Sequence, residues 1–321
     1  MASGAAFTYV DLQPVAGCFL DDVIAGLGST PKAISPKYFY DARGSELFEA
    51  ICELPEYYPT RTELALMREC AGQMAARLGG QCLLIEFGSG AGTKTEVLLD
   101  ALHPEAYVAV DISPEALRAS AARLAGLHPD MQVIAVCADY MQRLQIPGLE
   151  RFDGARRVVY FPGSTIGNLT PPEAAGFLRD ARRLAGPGGA MLVGVDLKKD
   201  AALLHAAYND AQGVTAAFNL NLLHRINREL GADFRIGQFR HIAFYDPAAG
   251  RIEMHLESLC AQTVTIDGRQ FAFAPGERLH TENSCKYSIA EFQALARSAG
   301  FRAQEVWCDP RDYFAVHLLE A

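Results

Sequence analysis

LLIEFGSGAGTKT, residues Leu83–Thr95, decides how this chain folds. Its opening residues (Leu83, Leu84, Ile85 and Phe87, with Glu86 among them) make a short apolar run that reads as a buried parallel strand. Gly88, Gly90 and Gly92 follow, and then an apolar-periodic segment, Val97 to Leu102, that reads as a helix. Strand, glycine turn, helix is how an open α/β sheet presents a cofactor at the carboxyl ends of its strands. Glycine lets the backbone take φ > 0 and approach a ligand closely. A nucleotide-like cofactor is therefore expected over this turn.

The spelling of the turn narrows the choice. A P-loop needs Gly directly before Lys, and here Thr93 stands between Gly92 and Lys94. The dinucleotide pattern G-x-G-x-x-G fails too, because Gly92 follows Gly90 by two residues rather than three. An acid just before the turn, as in E-F-G-S-G, is the form seen in Rossmann-like methyltransferases that bind S-adenosylmethionine. A tight strand–helix turn without a ligand is the competing reading of the same residues.

Downstream, Tyr107–Asp111 is a second apolar strand ending in an acid. Asp111 lies roughly 20 residues past the glycine turn, where a carboxylate typically holds ribose hydroxyls. Ser113 with Pro114 behind it fits a helix start better than Asp111 does. Helix Pro114–Leu127 and strand Met131–Cys137 lead to Asp139-Tyr140, suited to an adenine amino group and its ring. Arg157–Phe161 is the fourth strand, and the small-residue loop Pro162–Leu169 after it contains Gly163 and Asn168. Asn168 offers donors and an acceptor to an amino acid head group. Helix Pro171–Leu184 and strand Ala190–Val195 complete five strands alternating with helices, a doubly wound sheet.

Either side of this core the pattern changes. Residues 36–63 are dense in aromatics and prolines, with a helix expected over Ser45–Leu54 capped by Ser45. Tyr38, Phe39, Tyr40, Tyr57 and Tyr58 flank it and suggest a segment that folds over a pocket. Glu63–Leu78 reads as a helix. Leu197–Leu230 reads as largely helical, with Tyr208-Asn209-Asp210 in its middle. The stretch from Arg240 to Phe273 alternates like antiparallel strands, turning at Asp267-Gly268. Ser288–Ala299 reads as a helix, and Phe301–Trp307 with Tyr313–Leu319 as an antiparallel pair that completes a seven-stranded methyltransferase sheet. The expected architecture is α/β, a Rossmann-like class I methyltransferase sheet over residues 62–196 and 286–321. An inserted α+β substrate-binding domain is expected over residues 1–61 and 197–285.

Composition excludes several classes. The chain has 321 residues, half of them hydrophobic, with a net charge of −9 and no basic run. A nucleic-acid partner is thus not expected. No apolar run is long enough to span a membrane, and the amino terminus does not read as a secretory signal. Eight cysteines without C-x-x-C pairs read as reduced thiols in the cytoplasm, and eight histidines show no ligand spacing, so no metal is expected.

The strings YFYDARGSELFEAICELPEYYPTR (38–61), EFGSGAGTKT (86–95), YFPGSTIGN (160–168), AAYNDAQGVTAAFNLNLLHRIN (206–227) and HTENSCKYS (280–288) are spread over nearly the whole chain. Together they resemble the L-histidine Nα-methyltransferases of ergothioneine biosynthesis. The resemblance implies S-adenosylmethionine as methyl donor, L-histidine as acceptor and three transfers giving hercynine. A monomer is expected. The resemblance puts cofactor contacts on Gly88, Lys94, Asp111, Asp139 and Tyr140. Substrate contacts fall on Tyr57, Asn168, Tyr208, Glu282 and Ser284, with Tyr40, Gly163 and Met254 lining the pocket. Asn168 and Tyr208 would hold the substrate carboxylate, while Tyr40 and Tyr57 would flank the amine, which makes Tyr40, Tyr57 and Asn168 the residues nearest the chemistry. The loop departs from the family's form at Ala91-Gly92-Thr93, ahead of Lys94. The family also contains enzymes acting on tryptophan derivatives, so methylation of another aromatic amino acid is the alternative.

One specificity pair is legible without the family. In an extended Thr281-Glu282-Asn283-Ser284 the side chains of Glu282 and Ser284 share a face. A carboxylate accepts, a hydroxyl does either, and neutral imidazole carries one donor and one acceptor. Indole satisfies at most one of the two, so histidine is the expected substrate.

Overall fold

The computed structural model describes residues 7–12, 18–90 and 92–321, so Ala91 of the glycine turn lies outside the described residues. The chain divides into two units. The first takes in Arg61–Leu197 and Tyr287–Ala321 together with the strand Thr8–Asp11. The second takes in residues 18–60 and Lys198–Lys286.

In the first unit Cys82–Phe87 is buried along its whole length, as a central parallel strand covered on both faces must be. It pairs in parallel with Ala106–Asp111 on one side and Arg156–Phe161 on the other, Ile85 lying opposite Val108 and Val159. Outward from it the order continues through Gln132–Cys137 to Thr8–Asp11 in one direction. In the other it continues through Ala190–Asp196 and Phe314–Glu320 to Arg302–Cys308. The last two strands are antiparallel to their neighbours. This is the Rossmann-like class I methyltransferase sheet, with one strand more than the seven expected. Strand order reverses at Cys82–Phe87, and the crevice beyond the carboxyl ends at such a reversal is where open α/β sheets hold ligands.

The extra strand corrects the expectation that residues 1–61 belong wholly with the substrate domain. Thr8–Asp11 pairs in parallel with Gln132–Cys137 at the sheet edge. Four residues carry too little periodicity to announce themselves. What holds them is edge pairing, with the Arg118 guanidinium 4.0 Å above the Tyr9 ring.

In the second unit a four-stranded sheet runs Lys32–Ala33, Arg278–Cys285, Arg251–Ser258, Phe239–Asp246. The hairpin Gln262–Ile266 and Arg269–Phe273 turns at Asp267 and Gly268, both at positive φ (49° and 72°), as the favoured two-residue hairpin turn requires. The helix expected at Ser45 starts earlier, at Ala42, because Asp41 and not Ser45 is its cap: Asp41 Oδ1 accepts from Gly44 N at 2.7 Å. The helical run expected over Leu197–Leu230 is two helices, Ala201–Tyr208 and Val214–Leu230. Asp210 breaks it by accepting from the amides of Val214 and Thr215 at 2.9 and 2.8 Å. Among the described residues no helix is long and apolar enough to cross a membrane.

Candidate active site

The first unit gathers the residues assigned to the cofactor. Gly88, Gly90 and Gly92 all take positive φ (71°, 44° and 73°), a backbone that other residues adopt only under strain. Asp111 ends its strand beside them. Its Oδ1 accepts from Ser113 N at 2.9 Å and its Oδ2 from Gly90 N at 3.4 Å, leaving lone pairs on both oxygens for ribose hydroxyls. Burial pushes its carboxyl above the usual range, and the amides oppose the rise. Tyr140 lies over Gly88, where a Cβ would sit 3.8 Å from the tyrosine Cε1. One ring face stacks on Phe87 (centroids 5.7 Å, 14°), and Phe161 and Phe177 meet it edge-on. Asp139 Oδ1 accepts from Met141 N at 2.9 Å, a local turn bond that fixes the Asp139-Tyr140 pair. A glycine cradle beneath a tyrosine and two carboxylates suits a nucleoside carrying ribose hydroxyls and an exocyclic amine.

Lys94 reaches a partner that the spacing of the chain did not suggest. Its Nζ lies 2.5 Å from Glu63 Oε2, and Glu63 is fully buried. Both Glu63 oxygens also accept from Gly163 N at 2.9 Å. Gly194 must be glycine here, since a Cβ would come within 2.3 Å of Glu63 Oε1. One carboxylate thus ties the helix after the glycine turn to the loop that carries Asn168. Lys94 is therefore first a structural cation, with donors left for a ligand. Asn168 ends the short 3-10 turn Thr165–Asn168, and its side chain makes no hydrogen bond with the described residues.

Glu86, the acid of E-F-G-S-G, points into the core and not toward a ligand. Thr95 Oγ1 donates to both its oxygens (2.8 and 2.7 Å) and the Tyr107 hydroxyl to one (2.5 Å). Burial pushes its carboxyl up to about 8, against those bonds.

The second unit gathers Tyr40, Tyr57, Tyr208, Met254, Glu282 and Ser284, while Gly163 and Asn168 belong to the first. Of the five flanking aromatics, Tyr40 and Tyr57 join an edge-to-face chain. Phe48 lies 5.6 Å from Tyr40 and 6.3 Å from Tyr57, and Tyr57 lies 6.3 Å from Tyr208. Phe218 closes the group against Tyr40 at 5.9 Å. The other three do different work. Tyr38 donates to Asp22 at 2.6 Å, Phe39 packs on Phe218, and Tyr58 accepts from Lys199 at 2.7 Å. Burial, with Tyr208 and other nearby groups adding to it, pushes the Tyr57 phenol well above its ordinary range. Burial thus favours the protonated phenol.

Glu282 and Ser284 lie on Arg278–Cys285, opposite Met254 and Ile252. A β-bulge between His280 and Glu282 resets the register just ahead of the pair, a device that re-aims side chains next to functional sites. Both residues are buried, at 8% and 4% exposure. The Glu282 carboxylate makes no hydrogen bond with any described residue, and burial pushes it up to about 7 although Lys286 draws it down. A buried acceptor without a donor is costly unless a ligand supplies one. Tyr208, expected on the substrate carboxylate, donates to Ser284 Oγ at 2.7 Å. The residue that sequence reading missed is Lys286, 2% exposed, whose Nζ donates to Ser284 Oγ at 2.8 Å and to the Tyr208 hydroxyl at 3.2 Å. It stands inside the string HTENSCKYS, two residues past Ser284 and just beyond the strand's end at Cys285, and that string was the available signal.

Residues 19–321 match the family model described as histidine-specific methyltransferase, SAM-dependent. A histidine N-alpha-methyltransferase of Mycolicibacterium smegmatis is 41% identical over 317 residues, covering 97% of each chain. The Mycobacterium tuberculosis protein of the same name is 41% identical over 304 residues, covering 92% of this chain and 93% of its own. Ergothioneine biosynthesis protein 1 of Neurospora crassa is 31% identical over 90% of this chain and 33% of its own length. A glycine cradle, an aromatic group and a buried carboxylate–hydroxyl pair, in a chain matched over nearly its full length, make this protein a member of the histidine-specific, S-adenosylmethionine-dependent methyltransferase family.

Proposed function

We propose that this chain transfers methyl groups from S-adenosylmethionine to the α-amino nitrogen of L-histidine, three times, giving hercynine for ergothioneine biosynthesis. The observation that carries the substrate is Glu282, a buried acceptor with no hydrogen-bond donor among the described residues, two residues from Ser284 on the same strand face. Imidazole supplies a donor and an acceptor to such a pair. Tryptophan leaves one of the two unpaired, which a buried polar site penalises heavily.

Gly88, Asp111, Asp139 and Tyr140 would hold the nucleoside part of the methyl donor, and Lys94 its carboxylate. Bound there, the donor supplies an activated methyl on a sulfonium. The protein's own contribution is alignment, exclusion of water and charge. Asn168 orients the amino acid head group. The amine must lose its proton, a modest cost for a group with a reference pKa of about 8. Tyr57 does not take that proton, because burial keeps its phenol protonated; the proton leaves to water. The faces of Tyr40, Phe48, Tyr57 and Phe218 favour the cation that grows on nitrogen. The described cysteines form no disulfide, which supports a reducing, cytoplasmic setting, and a monomer suffices for this chemistry.

The test is mass spectrometry of the purified protein with S-adenosylmethionine and an equimolar pool of the proteinogenic amino acids. A single new species at histidine plus three methyl groups is expected. Glu282→Ala should lose the preference for histidine over tryptophan by about tenfold or more. Trimethylated tryptophan from the wild type, or an unchanged preference in the variant, overturns the substrate assignment.

A further inference from the structure

Ser284 Oγ has two neighbours within hydrogen-bond distance, the Tyr208 hydroxyl at 2.7 Å and Lys286 Nζ at 2.8 Å. A hydroxyl has one hydrogen to donate and two lone pairs to accept with. The ammonium of Lys286 has no lone pair, so it donates. The phenol of Tyr208, itself accepting from Lys286 at 3.2 Å, is the stronger acid of the two hydroxyls and the better donor. Both lone pairs of Ser284 are therefore taken, and its one O–H points to whatever ligand enters. Glu282, two residues back on the same face, is an acceptor when ionised. The two ends of the pair have opposite and fixed senses.

We infer that Lys286 is a positioning residue that fixes Ser284 as a donor, so that histidine binds as a neutral imidazole in one tautomer. The ring then turns its N–H to Glu282 and its bare nitrogen to Ser284. An imidazolium would bring a second N–H to a hydroxyl that cannot accept it, beside a buried ammonium of like charge. This rests on histidine being the substrate. It goes further in assigning protonation state, ring orientation and the part played by Lys286.

The first test needs no variant. Histidine labelled with ¹⁵N in the ring, bound to wild-type protein with S-adenosylhomocysteine at pH 8, should show one pyrrole-type and one pyridine-type nitrogen. Two pyrrole-type nitrogens, or two averaged between the types, overturn the inference. The second test compares histidine with the two pyrrolylalanine isomers, each of which keeps one N–H and replaces the other nitrogen by C–H. In the wild type, the isomer that keeps its N–H for Glu282 should lose about tenfold or more in kcat/KM against histidine, because the Ser284 O–H is stranded. In Lys286→Met the hydroxyl can turn its hydrogen toward Tyr208, and this ratio should shrink severalfold. A merely structural lysine lowers both substrates alike, and an unchanged ratio overturns its role. If the wild type does not methylate histidine at all, the functional proposal falls. If it does so on a doubly protonated ring, only this inference falls.

Discussion

Glu86 is the acid by which the glycine turn is recognised, yet its work is done inside the core with Thr95 and Tyr107. Its carboxyl is raised to about 8 by burial, so between pH 4.5 and 8 the folded protein holds a proton that the unfolded chain has lost. Stability contributed at this position therefore falls as pH rises through that window. Glu86→Gln keeps an acceptor for the same donors and removes the titration. Urea unfolding should show the variant gaining on the wild type by about 1.4 kcal/mol for each pH unit from 5 to 8. A difference that stays flat with pH would mean an ordinary ionised carboxylate. Glu282 is raised too, but it is present in both proteins and drops out of the difference. At this scale the sequence was partly legible. Asp111, Asp139 and Glu282 are readable because each stands at a strand end or on an alternating face. Glu63 is not, because its partners Lys94 and Gly163 lie 31 and 100 residues away along the chain, and the string HTENSCKYS marks Lys286 without giving its role, which comes from a phenol on the helix Ala201–Tyr208.

Among the elements, the five central strands are readable from apolar runs bounded by turns; the structure lengthens four of them by one residue and starts the fifth at Gln132 rather than Met131. The misread elements are those governed by a side chain acting on backbone. Asp41 starts its helix at Ala42, three residues before the expected start at Ser45, and Gly44 cannot carry a side chain, since a Cβ would lie 1.7 Å from Phe39 O. Asp41 also accepts from Asn221 at 2.8 Å and from Arg228 at 2.5 Å, which join its helix to Val214–Leu230. These bonds hold its carboxyl below the usual range although burial opposes them. Asp41→Ala should destabilise the protein by about 1–2 kcal/mol through the lost cap alone. Asp41→Asn, which can still cap, should cost less. Equal losses in the two variants, read by urea unfolding, would show that the charge toward Arg228 and not the cap sets the cost. Because Tyr40 precedes this helix and Phe48 lies on it, the same cap stands behind two rings of the aromatic group.

For the molecule as a whole, the division of labour between the units is a proposal that amide exchange can resolve. Residues assigned to the methyl donor (Gly88, Asp111, Asp139, Tyr140) all fall in the first unit, and the imidazole pair and most of the aromatic group fall in the second. S-adenosylhomocysteine should slow exchange at residues 88–90, 111–113 and 139–142, and histidine should slow it at residues 208–215 and 280–286. A reversed pattern would overturn the assignment of ligands to units. Residues 163–168 carry the sharpest discrimination. They belong to the first unit, Gly163 is held by the carboxylate that also holds Lys94, and yet Gly163 and Asn168 are assigned to histidine. Slower exchange there with histidine supports that assignment. Slower exchange with S-adenosylhomocysteine alone would transfer both residues to the methyl donor, and Asn168→Ala would then raise the KM for S-adenosylmethionine and leave that for histidine unchanged.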